Sequence, residues 1–206
     1  MTFSTLVVGS LPALRASLEA DFLGEVGGAD TVIVPTAAAF TGAAQGAIEV
    51  AQALEGLSLR MEGLMVTDRQ SAREPHFVLR ASEADLVILS DGSVLHARTV
   101  WRDSPFGDSL RTARRLVAVG SVATVIGEVM IDPRGGAPTT ALGWRPGLTM
   151  CVEASDEQLE RTRSLLREDQ LLAVIGPSGV LGHDGEHWKV LAADVTVTRG
   201  HEVVDL

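Results

Sequence analysis

The first two-thirds of the chain alternates short apolar runs with longer segments in which apolar residues recur at helical spacing. Apolar runs rich in β-branched residues are typical of strands that are covered on both faces of a sheet. The predicted strands are residues 5–8, 31–34, 59–66, 85–89 and 116–119, and the predicted helices are residues 12–26, 41–54, 75–80, 96–101, 108–114 and 121–130. This order predicts an α/β fold, with a doubly wound, mostly parallel sheet and helices on both faces.

The pattern changes in the last third of the chain. The segment PRGGAPTTALGWRPG (133–147) is rich in glycine and proline, which predicts an exposed loop. A charged amphipathic helix is predicted over 156–166, and four short strand-like segments follow it. Asp184-Gly185 lies between two of these segments and is a strong hairpin signal. We expect this tail to be an antiparallel β extension on one edge of the main sheet, within a single domain over residues 1–206.

The composition argues against some classes of binding partner. The chain has 27 acidic and 17 basic residues and a net charge of −10, which argues against nucleic acid or an anionic membrane surface. The single cysteine, Cys151, excludes an internal disulfide and favours a reducing compartment. We expect neither a signal peptide nor a membrane span, and therefore a cytoplasmic protein.

Nucleotide- and metal-binding signatures are missing from the sequence. It contains no G-x-x-x-x-G-K-[ST] phosphate loop, no G-x-G-x-x-G fingerprint and no pair of Cys-x-x-Cys motifs. His183, Asp184 and His187 could be metal ligands, but their position around a hairpin turn explains them more simply. We therefore expect no cofactor and no bound metal.

The loops that follow the predicted strands are the candidate functional region. Ligands of doubly wound sheets bind beyond the carboxyl ends of the strands, near a switch point in the strand order. The loops concerned are Gly9-Ser10, 35–40, 90–93 and Gly120-Ser121. Chemistry is expected where these loops meet.

Four stretches of the chain occur in the order of a known family. They are VIVPTAAAF (32–40), VTDRQSAREPHFVLRASEADLVILSDGS (66–93), SPFGDSL (104–110) and RLVAVGSVATVIGEVMID (115–132). In this order they resemble the segments of the cyanophycinase and dipeptidase E family of serine peptidases. The resemblance covers nearly the whole chain. It implies the class I glutamine amidotransferase-like fold, with a nucleophile elbow in the last stretch.

The elbow departs from the family pattern, in which the central serine of Gly-Ser/Thr-Ser-Ala-Gly-Ala attacks a peptide carbonyl. The corresponding loop here is GSVA (120–123). The nucleophile position falls on Gly120 if GE (127–128) fixes the alignment, and on Ser121 if one residue is deleted. Ser121 is therefore a nucleophile or the N-cap of the helix predicted after it. Backbone amides at that helix start could also hold a carboxylate or phosphate without catalysis.

The histidine that would activate the serine is missing from its place in the pattern. The family's histidine segment corresponds here to SDEQLERTR (155–163), where two arginines remain and Glu157 stands near the position of the histidine. A glutamate of ordinary pKa, about 4.3, is a weak base for an alcohol. The resemblance therefore implies a serine peptidase homologue with a degraded catalytic site.

Other polar residues follow the predicted strands. His96 is the histidine that we expect nearest to Ser121, although a partly buried helix residue explains it more simply. Arg69 could clamp a substrate carboxylate or form an ion pair with Asp68. The residues expected to line a ligand pocket are Asp91, Gly92, Ser93, Gly120, Val122 and Arg69.

Three functions are open on this basis. The first is a non-peptidase homologue that binds a small molecule or a peptide. The second is an active serine hydrolase, in which Ser121 attacks an amide bond with His96 or Glu157 as its base. The third is an assembly subunit that uses its acidic surface. Open sheet edges also favour a homodimer.

Overall fold

The computed structural model describes residues 2–131 and 138–206 of the chain. Five parallel strands form most of the main sheet, up to its β3 edge: β1 (Thr5–Val8), β2 (Asp30–Val34), β3 (Arg60–Gly63), β4 (Leu86–Leu89) and β5 (Leu116–Val119). The helices are α1 (Leu11–Glu19), α2 (Ala43–Ala53), α3 (Pro75–Glu83), α4 (Val94–Trp101), α5 (Pro105–Arg111) and α6 (Asp156–Leu165). The five strands lie in the order β3-β2-β4-β5-β1.

Strand β4 illustrates why the main sheet is buried on both faces. Its four residues are apolar and fully buried. Val87 and Leu89 enter one hydrophobic core, and Leu86 and Ile88 enter the other, because successive side chains of a strand alternate between faces. Helices α3, α4 and α5 contribute to the first core, and α1 and α2 contribute to the second. The predicted doubly wound α/β architecture is confirmed.

The last third of the chain extends the main sheet and builds two smaller ones. Its strands are β6 (Val129–Ile131), β7 (Pro138–Thr140), β8 (Thr149–Val152), β9 (Leu171–Ile175), β10 (Val180–His183), β11 (Trp188–Val190), β12 (Val195–Arg199) and β13 (Glu202–Val203). Strand β10 pairs antiparallel with β1, and β11 pairs antiparallel with β10, so these two tail strands extend the main sheet as predicted. The other two, β9 and β12, were expected on the same edge but pair with each other in a second sheet, where β9 also runs parallel to β8. A second sheet has the order β13-β12-β9-β8, and β6 pairs with β7.

The segment 121–130, predicted to be a helix, is not one. It forms a 3₁₀ turn over Gly120–Val125 and then enters β6. The carbonyls of Val125 and Gly127 accept the N–H groups of Leu142 and Gly143, at 2.8 and 2.7 Å. This pairing to a distant segment replaces the hydrogen bonds that a helix would make along its own axis. Residues 133–137 of the predicted loop lie outside the described residues, and 138–140 form β7.

The described helices are short. Helix α1 ends at Glu19 instead of near residue 26, because the chain turns at Asp21, which has a φ of 55°, and again at Gly24. The third strand is also shorter than predicted, at Arg60–Gly63. None of the helices in residues 2–131 and 138–206 is long and apolar enough to cross a bilayer.

The hairpin between β10 and β11 has the predicted turn and a buried histidine beside it. The Asp184 carboxylate accepts the N–H groups of Glu186 and His187, at 3.0 and 2.9 Å. The buried His183 ring accepts the N–H of Gly185 at its Nδ1 atom (3.1 Å) and lies edge-on to Trp188. Because Nδ1 accepts here, this bond favours the neutral imidazole with its proton on Nε2. Burial, and then the nearby charge of Arg145, lowers the pKa of His183.

A lowered histidine pKa makes the fold less stable in acid. Below about pH 6.5 the unfolded chain takes up a proton at His183 that the folded chain resists, so the free energy of unfolding falls as the pH falls. We expect urea unfolding to show a smaller loss between pH 7 and pH 5 in His183→Asn, whose side-chain oxygen can still accept the Gly185 N–H. His201, exposed in the turn between β12 and β13, is changed to Asn as the control, and this variant should behave like the wild type. Equal pH dependence in the wild type and His183→Asn would contradict this assignment.

Candidate functional site

The chain turns sharply at Gly120, directly after β5. Gly120 has a φ of +65°, a conformation that glycine adopts without strain. A Cβ built on Gly120 would collide with the carboxylate of Asp91. In a nucleophile elbow the strained residue at the strand-to-helix turn carries the nucleophile. In this chain that position is a glycine, and its side-chain space is filled by a carboxylate.

Asp91 joins the loops that follow β4 and β5. Its Oδ1 accepts the N–H of Gly92 at 2.7 Å and the N–H of Ser121 at 2.8 Å. Gly92, at a φ of +144°, lies against the backbone of Ala37, where a Cβ would not fit. The structure therefore brings Asp91 and Gly92 together with the Gly120-Ser121 turn, at the carboxyl ends of β4 and β5.

Ser121 is partly exposed and does not cap a helix. The residue at the N-cap position of the 3₁₀ turn is Val119, and no side chain caps it there. The Ser121 hydroxyl makes no hydrogen bond to any residue in the described part of the chain, whereas its N–H is bound by Asp91. The N-cap interpretation is wrong, because the acceptor for this turn is a carboxylate from the neighbouring loop.

Ser121 lines a cleft between the 3₁₀ turn, β8 and the first half of α6. The cleft has a volume of about 320 Å³. Its polar lining includes Ser121, Thr124, Glu153, Gln158 and Arg161, and its apolar lining includes Met150. Arg161 is exposed and forms no ion pair with any residue that the structure describes. An arginine facing a small cleft is suited to a ligand carboxylate.

The thiol of Cys151 also lines the cleft. Its Sγ lies 3.8 Å from the hydroxyl of Thr162 on α6. Burial raises the pKa of the Cys151 thiol, with a smaller opposing effect from the bond to Thr162. A thiol of raised pKa is a poor nucleophile at neutral pH. The sequence indicated only a buried strand residue here and did not predict its position in the cleft.

None of the five histidines, all of which are described, lines the cleft. His96 lies on α4, where its Nε2 is 2.7 Å from the carbonyl oxygen of Thr67 and its ring is 4.5 Å from that of Phe40. His183 lies in the β10–β11 hairpin. The other three, His76, His187 and His201, are exposed. A serine in this cleft therefore has no imidazole beside it to take its proton.

None of the other predicted site residues, all of which are described, lines the cleft, and Asp91 and Gly92 line a separate cavity. Glu157 is exposed on the first turn of α6 and does not line the cleft, whereas the next residue, Gln158, does. Ser93 caps α4 by accepting the N–H of His96 at 3.4 Å. Val122 is buried in the core. Arg69 is exposed and donates to the carbonyl of Arg102 at 3.4 Å.

Ser121 is the one predicted site residue in the described lining of the cleft, and the polar residues Thr124, Glu153, Gln158 and Arg161 were not predicted. Gln158 could have been found from the S-x-x-Q pattern, which forms a capping box with Ser155 and so fixes the first turn of α6. Nothing in the sequence marked Thr124 as a site residue, because it lies in the segment predicted to be a helix. The residues that the structure describes contain no group of three or more His, Cys, Asp or Glu side chains placed to hold a metal ion.

Comparison with known proteins adds to this geometry. No family model and no curated protein matches the sequence. The fold matches a peptidase from an acI-B1 Actinobacterium, with a TM-score of 0.77, 20% identity, and coverage of 98% of this chain and 93% of the other. It also matches a protein assigned as a peptidase E from Listeria monocytogenes EGD-e, with a TM-score of 0.68, 12% identity, and coverage of 95% and 97%.

The chain has a peptidase E-like fold. The expectation of a cyanophycinase- and dipeptidase E-like fold is confirmed over nearly the whole chain. At these levels of identity the likeness is one of fold, so the chemistry of the cleft is argued from its own residues.

Filling the Gly120 position tests the geometry of this peptidase E-like elbow. We expect Gly120→Ser to lower the free energy of unfolding by about 3 kcal/mol or more, because the new side chain meets Asp91 in addition to adopting a left-handed backbone. Gly143 has the same φ of +65° with no atom within 4 Å of a built Cβ, so Gly143→Ser is a matched control. It should lose only about 1–2 kcal/mol.

A double variant separates crowding from backbone strain. Gly120→Ser combined with Asp91→Gly should recover part of the lost stability in urea unfolding, because the colliding carboxylate is gone. Equal losses in the Gly120 and Gly143 variants, without recovery in the double variant, would show that Asp91 does not occupy the side-chain space at the elbow.

Proposed function

We propose that the protein binds a small carboxylate-bearing molecule, such as an amino acid or a peptide terminus, in this cleft without hydrolysing it. The observation that carries the proposal is the bond from the Ser121 N–H to the Asp91 carboxylate. This bond occupies the backbone N–H that an oxyanion would need, and the binding part of the proposal rests on Arg161 in the lining of the cleft.

The protein is expected not to hydrolyse its ligand because three catalytic groups are missing: a nucleophile, a free oxyanion donor and a base. The elbow position is Gly120, which has no nucleophile. An elbow enzyme stabilises its oxyanion with the backbone N–H of the residue after the nucleophile. Here that N–H belongs to Ser121 and is already bound to a carboxylate. A tetrahedral intermediate would place a second negative charge beside Asp91, and no histidine lines the cleft to act as a base.

Binding is supported by the cleft itself. Its volume of about 320 Å³ suits a ligand the size of an amino acid or a short peptide end. Arg161 offers two parallel N–H donors to a carboxylate, and Gln158 and Ser121 offer polar groups for the rest of the ligand. Met150 and Ile131 supply an apolar wall. This arrangement favours a ligand that is anionic at one end and partly apolar at the other.

The absence of hydrolysis can be measured with an alkyl fluorophosphonate probe. We expect the folded wild type to be labelled no more than Ser121→Ala, because an unactivated serine hydroxyl reacts slowly. Incubation with a panel of dipeptides should release no amino acid above the level of the same variant. Labelling of the wild type that disappears in Ser121→Ala would establish an active hydrolase and overturn this part of the proposal.

Carboxylate binding can be measured by calorimetry with N-acetyl amino acids and their matched amides. We expect the acids to bind and the amides to bind more weakly, because only a carboxylate pairs with the Arg161 guanidinium. Arg161→Gln should weaken binding of the acids about tenfold or more.

The control is Arg114→Gln. Arg114 is exposed and pairs with Asp85 near the amino ends of β4 and β5, away from the cleft. This variant should bind the acids within about twofold of the wild type. Equal affinity for acids and amides, or equal losses in the two variants, would contradict a carboxylate site at Arg161.

A further inference from the structure

A second cavity is lined in part by Asp91. It has a volume of about 380 Å³ and opens between α2, the loop after β2 and the end of β4. Its lining includes Gln45 and Glu49 on α2 and Ser90 and Asp91 after β4. It shares no residue with the lining of the cleft. The carboxyl ends of strands in such a sheet are where ligands bind, so its position is suited to a site.

Ser90 contributes an unpaired hydroxyl to the wall of this cavity. The residue is only 3% exposed, and its Oγ makes no hydrogen bond in the described part of the chain. Leu86 and Ile88 point toward the core beside α2, so the alternation along β4 turns Ser90 the same way. Its Oγ lies 3.6 Å from the place that a Cβ on Gly46 would take, which is also in the cavity wall.

A buried hydroxyl without a partner is unfavourable by about 1–3 kcal/mol, so native proteins rarely leave one. A polar group bound in the cavity would remove this penalty. The unpaired Ser90 hydroxyl therefore points to an occupant that forms hydrogen bonds, and the charges of the wall indicate which kind.

The described wall of the cavity is acidic. Glu49 and Asp91 line it, and no arginine or lysine is among the described residues that do. Glu49 accepts one hydrogen bond, from Gln45 at 3.1 Å. Asp91 uses Oδ1 for the two backbone N–H groups, and its Oδ2 accepts no hydrogen bond from a described residue. Oxygens of both carboxylates therefore remain available to accept hydrogen bonds from a positively charged group.

We propose that this cavity is a binding site for a small protonated amine. The ammonium group is held by the carboxylates of Asp91 and Glu49, and the Ser90 hydroxyl accepts a further N–H. Three oxygen acceptors match the three donors of a primary ammonium group. The site is independent of the cleft and of the carboxylate binding proposed there, because a different set of residues lines each.

Calorimetric titration with putrescine tests the site, and 1,4-butanediol is the neutral probe of the same length. We expect putrescine to bind and butanediol to give no binding heat at matched ionic strength. Glu49→Gln should weaken putrescine binding about fivefold, since one exposed carboxylate partner is lost. Ser90→Ala should also weaken it, through the loss of an acceptor.

The matched control is Glu55→Gln, an exposed glutamate just beyond the end of α2 that does not line the cavity. It should bind putrescine within about twofold of the wild type. The proposal is overturned if putrescine and butanediol bind alike, if neither binds, or if the Glu49 and Glu55 variants lose affinity equally. Retained carboxylate binding in the cleft would show that such a failure concerns this cavity alone.

Discussion

The carboxylate of Asp91 is the group on which the carboxyl edge of the sheet depends. It accepts the N–H of Ser121 and the N–H of Gly92, and so ties the turn after β5 to the turn after β4. The bond requires a residue without a side chain at Gly120, because any Cβ there would occupy the same space. A hydrogen bond of a charged acceptor to a backbone N–H is stronger than a neutral one. The glycine at position 120 and the bound N–H of Ser121 are therefore consequences of one interaction.

The fold that the chain shares with its solved neighbours has different requirements from the hydrolysis of a peptide bond. The peptidase E-like fold needs a parallel sheet, helices on both faces and a turn after β5, and the chain has all of them. Hydrolysis needs a nucleophile, a base and a free oxyanion donor in one place. The requirements of the fold and those of hydrolysis are independent, because the buried apolar residues of β4 and β5 stabilise the sheet whichever residue follows each strand. A scaffold can therefore persist after its catalytic groups are lost, and function has to be argued from the site.

The sequence was informative wherever a local pattern decided the structure. The four apolar residues of β4 and of β5 could only be buried strands, and Asp184-Gly185 could be recognised as a turn from its residue types. The prediction of a helix over 121–130 was wrong because the conformation of this segment depends on residues 142 and 143. The N–H groups of those two residues donate to its carbonyl oxygens. The position of Arg161 in the cleft depends likewise on the approach of α6 to the turn after β5. Contacts between segments that are distant in sequence produce no periodic pattern of apolar residues. The parts of the site that depend on such contacts therefore could not be predicted.

The position of Asp91 also determines where positive charge acts in the proposed carboxylate site. The N-terminal amides of a helical turn ordinarily attract an anion. Here Asp91 neutralises the turn at Ser121, so the attraction must come from Arg161, the only cationic side chain among the described residues that line the cleft. Arg161 belongs to α6 and Ser121 to the turn after β5, so the two stand on different walls. A carboxylate would pair with Arg161 on the α6 wall and would be disfavoured beside Glu153, an acidic side chain that also lines the cleft. In the proposed function, Arg161 therefore sets the orientation of the ligand, and the bond from Ser121 to Asp91 accounts for the absence of hydrolysis.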